Sequence, residues 1–232
     1  MLTKGEEVRY ISHLDYAKAV ERALRRSKLP IAYTEGFNPH MKISFASALA
    51  VGVSSSAEYI DVELTEKVDL EKVLKDLASS FGKGIKLLQA SYVEKRGQAL
   101  AAAINLATYE VAVFLDKYAH MESVYDSLNN FNFAESVLFT KESPKTRRQI
   151  DIKNFMAEDV GVSKKSAQEQ ERHLILNMSI KITPHGSVKP ADVLGILVDT
   201  YHLPVDKHLS VINRTGLYIE KDNVKILPID FI

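Results

Sequence analysis

The chain has no cysteine among its 232 residues. This excludes a structural disulfide, a cysteine zinc site, a thiol nucleophile and an iron–sulfur cluster held by this chain. No run approaches the roughly 18 apolar residues that a membrane span needs. The first ten residues, MLTKGEEVRY, lack the apolar core of a signal peptide. These absences predict a cytoplasmic protein that does not contact a membrane.

The familiar phosphate-binding and catalytic motifs are also absent. The sequence contains no Walker-type or GxGxxG phosphate loop, no GxSxG elbow and no HExxH pair. Apolar residues make up 46% of the chain and charged residues 26%, which is typical of a globular protein. The length suits one large domain or two domains of ordinary size.

Periodicity in the first third predicts a helix between short strands. Apolar residues recur at 3.6-residue spacing from Ser12 to about Lys28, and Asp15 stands where a capping box places its acid. Other predicted elements are a helix over 69–81 and strands over 8–11, 58–64 and 85–93. A further strand is predicted in two pieces, 31–34 and 41–46. This order, β-α-β-β-α-β, is the ferredoxin-like split arrangement.

The same order is predicted to repeat in the rest of the chain. The predicted strands are 108–115, 136–140, 173–181, 210–219 and 224–229, with helices over 120–129 and about 189–202. We therefore expect an α+β fold of two tandem ferredoxin-like (βαββαβ) domains with open antiparallel sheets. The predicted domains are 1–97, which carries the site, and 104–232, which contains a polar insertion at about 141–172.

The formal net charge of zero conceals two basic segments. Residues 1–50 hold eight Lys and Arg against five Asp and Glu, and residues 141–190 hold ten against six. Guanidinium groups present forked donors that suit phosphate. The candidate anion-binding or nucleic-acid-binding cations are Lys18, Arg22, Arg25, Arg26, Lys42, Arg147 and Arg148. The alternative is a solvated helix face on which Glu21 and Arg25 form an ordinary i,i+4 pair.

An unusual stretch, YTEGFNPHMKISF (33–45), separates two strand-like runs. Its glycine and its Asn-Pro pair predict a stiff turn that presents Phe37 and His40 to one side. An aromatic ring can stack on a base, and a histidine can donate, accept or titrate near neutral pH. The alternative is an irregular hairpin with Phe37 in the core and His40 capping a backbone group.

Two further features are candidates for chemistry. His13 and Asp15 could act as an acid–base pair or as metal ligands, together with His40, Glu35 or Glu58, although one H-x-D pattern is a weak metal signal. The alternative is a surface histidine beside an ordinary first-turn acid. A small-residue loop at 52–56 could also receive an anion through backbone N–H groups. No metal site and no cofactor in this chain are predicted.

Residues 9–64 together resemble a known family. The segments ISHLD (11–15), ERALRR (21–26), GFNPHMKISF (36–45) and the S-x-x-E-Y-x-D pattern (55–61) are similar to the signature of an uncharacterised bacterial family of radical-SAM-linked proteins. Residues 148–155 resemble the same family more loosely. One departure is Met41, where that family's pattern has a second proline, so the turn should be less stiff.

The resemblance implies a partner rather than a reaction. It implies a radical-SAM protein encoded elsewhere, in a setting of RNA and ribosome metabolism. The motif positions that it singles out are Ser12, His13, Asp15, Glu21, Arg22, Arg25, Arg26, Tyr33, Gly36, Phe37, Asn38, Pro39, His40, Lys42, Ser44, Glu58 and Asp61.

Three functions are therefore considered. The leading one is an RNA-binding or substrate-presenting accessory protein that acts with a separate radical-SAM enzyme in RNA modification or maturation and is not itself an enzyme. The second is a metal-independent endoribonuclease-like enzyme that uses His13 and His40. The third is a module that binds a small molecule or anion between the 36–44 turn and the 52–56 loop. We expect His13 and Asp15 to face Phe37, His40 and Lys42 across one cleft.

Overall fold

The structure is a computed structural model that describes residues 1–93, 99–143, 146–164 and 172–231. The chain divides into unit 1, Met1–Asn105 with Arg214–Ile232, and unit 2, Leu106–Asn213. The C-terminal residues thus belong with the N-terminal segment, whereas the sequence assigned 104–232 to a single domain. Part of the predicted linker, residues 94–98, lies outside the described residues.

Helices and strands are interspersed along the chain in both units. Through unit 1 they are β1 (Leu2–Lys4), α1 (His13–Ser27), β2 (Ile43–Phe45), β3 (Val53–Glu58), β4 (Ile60–Val62), α2 (Leu70–Ala78) and α3 (Leu100–Ala103). Unit 2 holds β5 (Leu106–Phe114), α4 (Met121–Phe133), β6 (Leu138–Ser143), β7 (Thr146–Asp151), β8 (Gly161–Lys164), β9 (His173–Lys181) and α5 (Pro190–Asp199). The last strands are β10 (Val211–Lys221) and β11 (Val224–Ile226). Short 3-10 helices cover Glu6–Val8, Ile152–Phe155 and Lys207–Leu209.

In unit 1, β3 lies between β1 and β10. Strand β1 runs antiparallel to β3, with Leu2 opposite Glu58, and an isolated bridge joins Leu2 to Leu87 on its other side. β2 and β4 form a separate antiparallel pair, and β11 forms a hairpin with β10. The predicted strand over 58–64 is split because Ala57, Glu58 and Tyr59 are buried in succession, which breaks the alternation of a regular strand.

Helix α1 covers the core of unit 1. Its inner face presents Tyr16, Val20 and Leu24, which pack with apolar residues of β1 and α2. Lys28 ends the helix with φ of 56°, in the left-handed region that closes many helices. The predicted helix from Ser12 to about Lys28 is thus confirmed, because spacing and capping act within the segment itself.

Unit 2 is built on the pairing of β5 with β9. The two strands are antiparallel over their whole length, from Leu106 opposite Lys181 to Phe114 opposite His173. Strand β8 pairs with the outer side of β9, and β6 with β7 forms a separate hairpin. Helix α4 buries Val124, Leu128 and Phe131, and α5 buries a similar apolar stripe.

Several predicted elements differ from those in the structure. Residues 8–11 do not form a strand, because the carbonyls of Arg9 and Ile11 turn inward to accept hydrogen bonds from Lys4. Within 85–93 only Leu87 makes a bridge. The described part of the predicted polar insertion at about 141–172 contains half of β6 together with β7 and β8. The predicted strand 136–140 overlaps the first half of β6. The rest of the β6–β7 hairpin is largely polar in sequence and lacks the apolar alternation that would reveal a strand.

The described residues therefore form a mixed α and β structure with open sheets. None of the helices described is long and apolar enough to span a bilayer.

Candidate functional site

The first predicted site residues stand at the beginning of α1. Ser12 is the N-cap, and its hydroxyl accepts a hydrogen bond from the Asp15 backbone N–H at 3.1 Å. The same hydroxyl donates to the Asp15 carboxylate at 2.6 Å. The carboxylate also lies in the first turn, where the helix dipole favours a negative charge. The arrangement accounts for Ser12 and Asp15 as helix-capping residues.

His13 lies against β2. Its ring meets the ring of Phe45 edge-on, with the centroids 5.4 Å apart, and Tyr16 contacts the same phenyl ring at 6.3 Å. His13 is half-buried by these contacts. It is therefore accessible on one side at the end of the sheet where β2 finishes.

The GFNPH stretch is the end of a hairpin. Tyr33 bridges to Met41, the Thr34 N–H donates to the His40 carbonyl at 2.8 Å, and the His40 N–H donates to the Thr34 hydroxyl at 3.0 Å. Gly36 has φ of 120°, a conformation that side chains disfavour. The exposed tip comprises Gly36, Phe37, Asn38, Pro39 and His40. The hairpin alternative was correct in outline, but Phe37 is fully exposed rather than in the core.

The hairpin tip and the start of α1 lie apart. Phe45, which touches His13, pairs with Ile60, whereas the strand entering the hairpin bridges to Leu64. Four residues of extended chain span about 13 Å, and the tip with His40 extends further. The register therefore places His40 well along the chain from the His13–Phe45 contact. No hydrogen bond, ion pair or ring contact among the described residues joins His13 or Asp15 to Phe37, His40 or Lys42.

Lys42 and Ser44 lie on the strand that leaves the hairpin. The Lys42 ammonium is 3.0 Å from the Glu63 carboxylate, an exposed pair of the kind that contributes little to stability. Ser44 lies opposite Asp61 in the β2–β4 register. Lys42 therefore already has a carboxylate partner, unlike the cations of α1.

The outer face of α1 carries a row of free cations. Lys18, Arg22 and Arg25 are exposed, and among the described residues none of them forms an ion pair or side-chain hydrogen bond. The Glu21–Arg25 pair considered above is not formed. We name Lys18, Arg22 and Arg25 the α1 ridge. Arg26 differs, because its guanidinium donates to the Ser80 carbonyl at 2.7 and 3.3 Å and so joins α1 to the end of α2.

Glu58 belongs to a buried ionic cluster rather than to the surface. The Arg214 guanidinium donates to the Glu58 carboxylate through Nη2 and to the Ser47 hydroxyl through Nη1 at 3.2 Å. Arg214 is 1% exposed and Glu58 3%. No described residue accepts a hydrogen bond from Arg214 Nε. Such a pair is strongly destabilised when one member is removed, because the other charge is left buried alone.

Lys4 completes the cluster and supports the ISHLD segment. Its buried ammonium donates to the carbonyls of Arg9 and Ile11, both at 3.0 Å. Burial lowers the pKa of Lys4, while the Glu58 charge acts in the opposite direction and Arg214 adds to the lowering. Burial also raises the pKa of Tyr16, which donates to the Thr3 carbonyl at 3.1 Å. Two cations and one carboxylate are thus buried beneath the entry to α1.

Sequence reasoning missed Arg214 and Lys4. The available signal was a charge at an inward position of a strand: Arg214 follows Ile212 by two residues, and both point to the core. In the same way, Lys4 follows Leu2 in β1. What the sequence did not show is which carboxylate neutralises Arg214, since Glu58 is 156 residues away.

The remaining candidates do not form a further site. Arg147 and Arg148 are exposed on β7 in unit 2, and Arg148 donates to the His185 carbonyl at 3.4 Å. The 52–56 segment is not a loop, because residues from Val53 onward form β3, with Ser54 and Ser55 buried. Across the described ranges, no group of three or more His, Asp or Glu side chains is arranged to hold a metal ion.

Comparison with solved structures finds a remote likeness. The structure described as "Crystal Structure of a Cbf5-Nop10-Gar1 Complex" has a TM-score of 0.49 and 10% sequence identity over 89% of this chain. This chain spans about half the length of that one, 46%. The likeness is too distant to carry an argument about fold or function. No curated protein matches the chain.

A family model matches residues 1–190, which include the α1 ridge, the hairpin, Lys4 and Glu58, but not Arg214. The match covers well over half of the chain. The chain therefore belongs to the bacterial family described as "Uncharacterized protein conserved in bacteria (DUF2344)".

Proposed function

We propose that this chain is an RNA-binding accessory protein that presents RNA to a separate radical-SAM enzyme, in RNA modification or maturation. The observation that carries the RNA-binding part is the α1 ridge. Three cations on one helix face have no carboxylate partner among the described residues, although the chain as a whole contains equal numbers of acids and bases.

The spacing of the ridge suits a phosphate backbone. Lys18, Arg22 and Arg25 follow at i, i+4 and i+7, and a helix rises 1.5 Å per residue, so the row spans about 10 Å. Arginine can contact two phosphate oxygens at once through its forked donors. Contacts of this kind bind the backbone without reading the sequence of bases.

Phe37 offers an aromatic ring on which a base can stack, an interaction that the cations of the α1 ridge do not provide. The hairpin holds its side chain fully exposed on a short loop closed by the Thr34–His40 hydrogen bonds. Binding sites for single-stranded nucleic acid combine basic surfaces with aromatic rings on which bases stack. Tyr33, at the base of the hairpin, is also exposed. We therefore propose single-stranded RNA, rather than a duplex, as the ligand of unit 1.

The radical-SAM partner rests on the resemblance of residues 9–64 to radical-SAM-linked proteins. A chain without cysteine offers no thiolate for an iron–sulfur cluster. The radical chemistry is thus assigned to the partner, and this chain to binding and presenting the RNA.

The tandem ferredoxin-like arrangement is part of the same proposal. In unit 1, β1 has β3 on one side and the Leu87 bridge on the other, with α1 and α2 between successive strands. In unit 2, β9 lies between β5 and β8, and α4 and α5 follow β5 and β9. Open sheets of this kind occur with many functions, so the fold by itself does not argue for RNA.

Binding of a fluorescent single-stranded RNA of about twelve nucleotides tests the proposal by anisotropy. We expect the triple variant Lys18→Glu, Arg22→Glu, Arg25→Glu to bind about 100-fold more weakly at low salt. The salt slope should fall by about two, since each lost phosphate contact on a single strand removes roughly 0.7.

A matched control reverses three other exposed cations of unit 1, Lys75, Lys83 and Lys86. It makes the same change in net charge and should weaken binding only slightly. Equal losses in both triple variants would mean that total charge, not the α1 ridge, governs binding. Unchanged affinity in the α1 variant would exclude the proposed RNA site.

A further inference from the structure

Helix α4 of unit 2 exposes a face of unusual composition. On one side of the helix, within an arc of about 100° set by the 3.6-residue turn, lie Glu122, Tyr125, Asp126, Asn129 and Phe133, all exposed. We name these five residues the α4 face. Tyr125 is 52% exposed and Phe133 84%, so most of two large aromatic side chains faces solvent.

The aromatic residues of the α4 face do not hold the helix to unit 2. That role belongs to the opposite side, where Val124, Leu128 and Phe131 are buried. The Asn132 side chain also fixes the helix, since it both donates to and accepts from the Val160 backbone at 3.1 and 2.9 Å. The α4 face is therefore presented on a well-anchored helix, and its aromatic surface is unused within the unit.

The charges on the α4 face are of one sign and free. Glu122 and Asp126 form no ion pair or side-chain hydrogen bond with any described residue. They stand at i and i+4, about 6 Å apart along the axis, and like charges at this spacing disfavour the helix. A cationic ligand bound between them would reverse that effect.

Aromatic rings beside free carboxylates match the chemistry of arginine. The guanidinium plane stacks on an aromatic face, and its edge donates forked hydrogen bonds to a carboxylate. A similar contact already exists just before the helix, where the Lys117 ammonium lies 5.3 Å from the centre of the Tyr118 ring. An anionic ligand such as RNA would instead be repelled.

We propose that the α4 face docks a basic, arginine-bearing segment of a partner protein. Phe133 and Tyr125, about 12 Å apart along the helix, are the aromatic anchors, and Glu122 and Asp126 select the positive charge. This proposal does not depend on RNA binding by the α1 ridge, because the two surfaces use different residues in different units.

The probe is a labelled synthetic peptide of about three helical turns, with arginines at i and i+4 and leucines on the same face. We expect it to bind the full chain. Affinity should fall at least tenfold in Glu122→Arg, Asp126→Arg and in Tyr125→Ala, Phe133→Ala. A peptide with lysine in place of arginine should bind more weakly. An ammonium group lacks the planar pair of donors that bonds both oxygens of a carboxylate, and it does not stack flat on an aromatic ring.

Three controls define the outcome. The exposed pair Glu66→Arg, Glu71→Arg in unit 1 makes the same charge change and should leave peptide affinity unaltered. Both α4 variants should keep a cooperative thermal unfolding transition and the RNA affinity of the unmodified chain, so that failure here is distinguishable from failure of the RNA proposal. Glu122→Arg should lower the unfolding midpoint slightly, because it removes an acid from the first turn of α4.

Several results would overturn the proposal. One is the absence of peptide binding up to about 1 mM, which corresponds to only about 4 kcal/mol of binding free energy. Another is equal peptide affinity in the chain and its α4 variants. A third is sedimentation showing self-association that Glu122→Arg, Asp126→Arg abolishes, since a second copy would then occupy the face.

Discussion

Helices α1 and α4 each bury an apolar face, but the net charges of their exposed faces are of opposite sign. Each follows the first strand of its unit in the chain and buries an apolar face. The residues of α1 carry four cations and two acids, and those of α4 carry two acids and no cation. A chain with zero net charge can therefore present two surfaces of opposite sign, each suited to a different ligand.

The two helices also begin differently. Ser12 caps α1 through its hydroxyl, whereas α4 begins after His120, which makes no side-chain capping bond. The entry to α1 rests on Lys4 and the neighbouring buried ion pair. The elements around α1 thus use buried charge, whereas α4 is held by apolar contacts and by the Asn132 hydrogen bonds.

The largest effect should follow from breaking that buried charge. Arg214→Met leaves the Glu58 carboxylate unpaired, and we expect unit 1 to lose about 3–5 kcal/mol of unfolding free energy, measured by denaturant titration. Glu58→Leu with Arg214→Met should recover part of the loss, because the ion pair is then removed as a whole and the buried Lys4 ammonium keeps its two carbonyl partners. Leu128→Ala in α4 should cost about 2–5 kcal/mol through its cavity, with no such rescue. A small loss in Arg214→Met would show that water reaches Glu58.

A smaller effect on RNA affinity should distinguish Phe37 of unit 1 from Tyr125 of unit 2, both of which are exposed aromatic residues. Phe37→Ala should weaken single-stranded RNA binding by about 1–3 kcal/mol, the range for loss of one stacked base, without changing the salt slope, because no phosphate contact is removed. Tyr125→Ala should leave RNA affinity unchanged. Equal effects of the two substitutions in anisotropy titrations would remove the functional distinction between the hairpin and the α4 face.

The smallest effects should come from the helix ends and have opposite signs. Ser12→Ala should destabilise the chain by about 1 kcal/mol through loss of the α1 cap. His120→Asp should stabilise it by about 0.5–1 kcal/mol, since an aspartate at the extended N-cap of α4 can accept a free backbone N–H and complement the helix dipole. Thermal unfolding would measure both. A destabilising His120→Asp would show that His120 makes a contribution that capping does not explain.

The predictable parts of the fold were those whose causes lie close together in the chain. Strand β9 matched its predicted bounds, His173–Lys181, because alternating apolar residues mark it directly. Strand β6 was predicted in part, as 136–140, whereas β7 was not predicted, since it carries mostly polar residues. Residues 52–56 looked like a flexible loop because serines rarely indicate a strand, but burial in the sheet of unit 1 overrode that preference.

For the candidate site, the sequence singled out the cations of α1 and the hairpin residues. It did not predict which groups these side chains contact or how far apart they lie. It did not show that Arg26 is held by Ser80 while Arg22 is free, because a helix pattern does not reveal which neighbour each outward residue meets. The sequence also did not show how far apart His13 and His40 lie in the structure. Their distance depends on how β2 and β4 are paired, which is a property of the assembled sheet.

Helix α1 and the GFNPH hairpin were determined by the sequence itself. A serine cap, a 3.6-residue period, a glycine with positive φ and a proline act on the nearest few peptide units. The tertiary structure alone decided that Glu58 is buried against Arg214, 156 residues away. The sequence pattern around Glu58 does not distinguish an exposed carboxylate from one that is paired with a guanidinium. Only the pairing of β3 with β10 places Arg214 beside it.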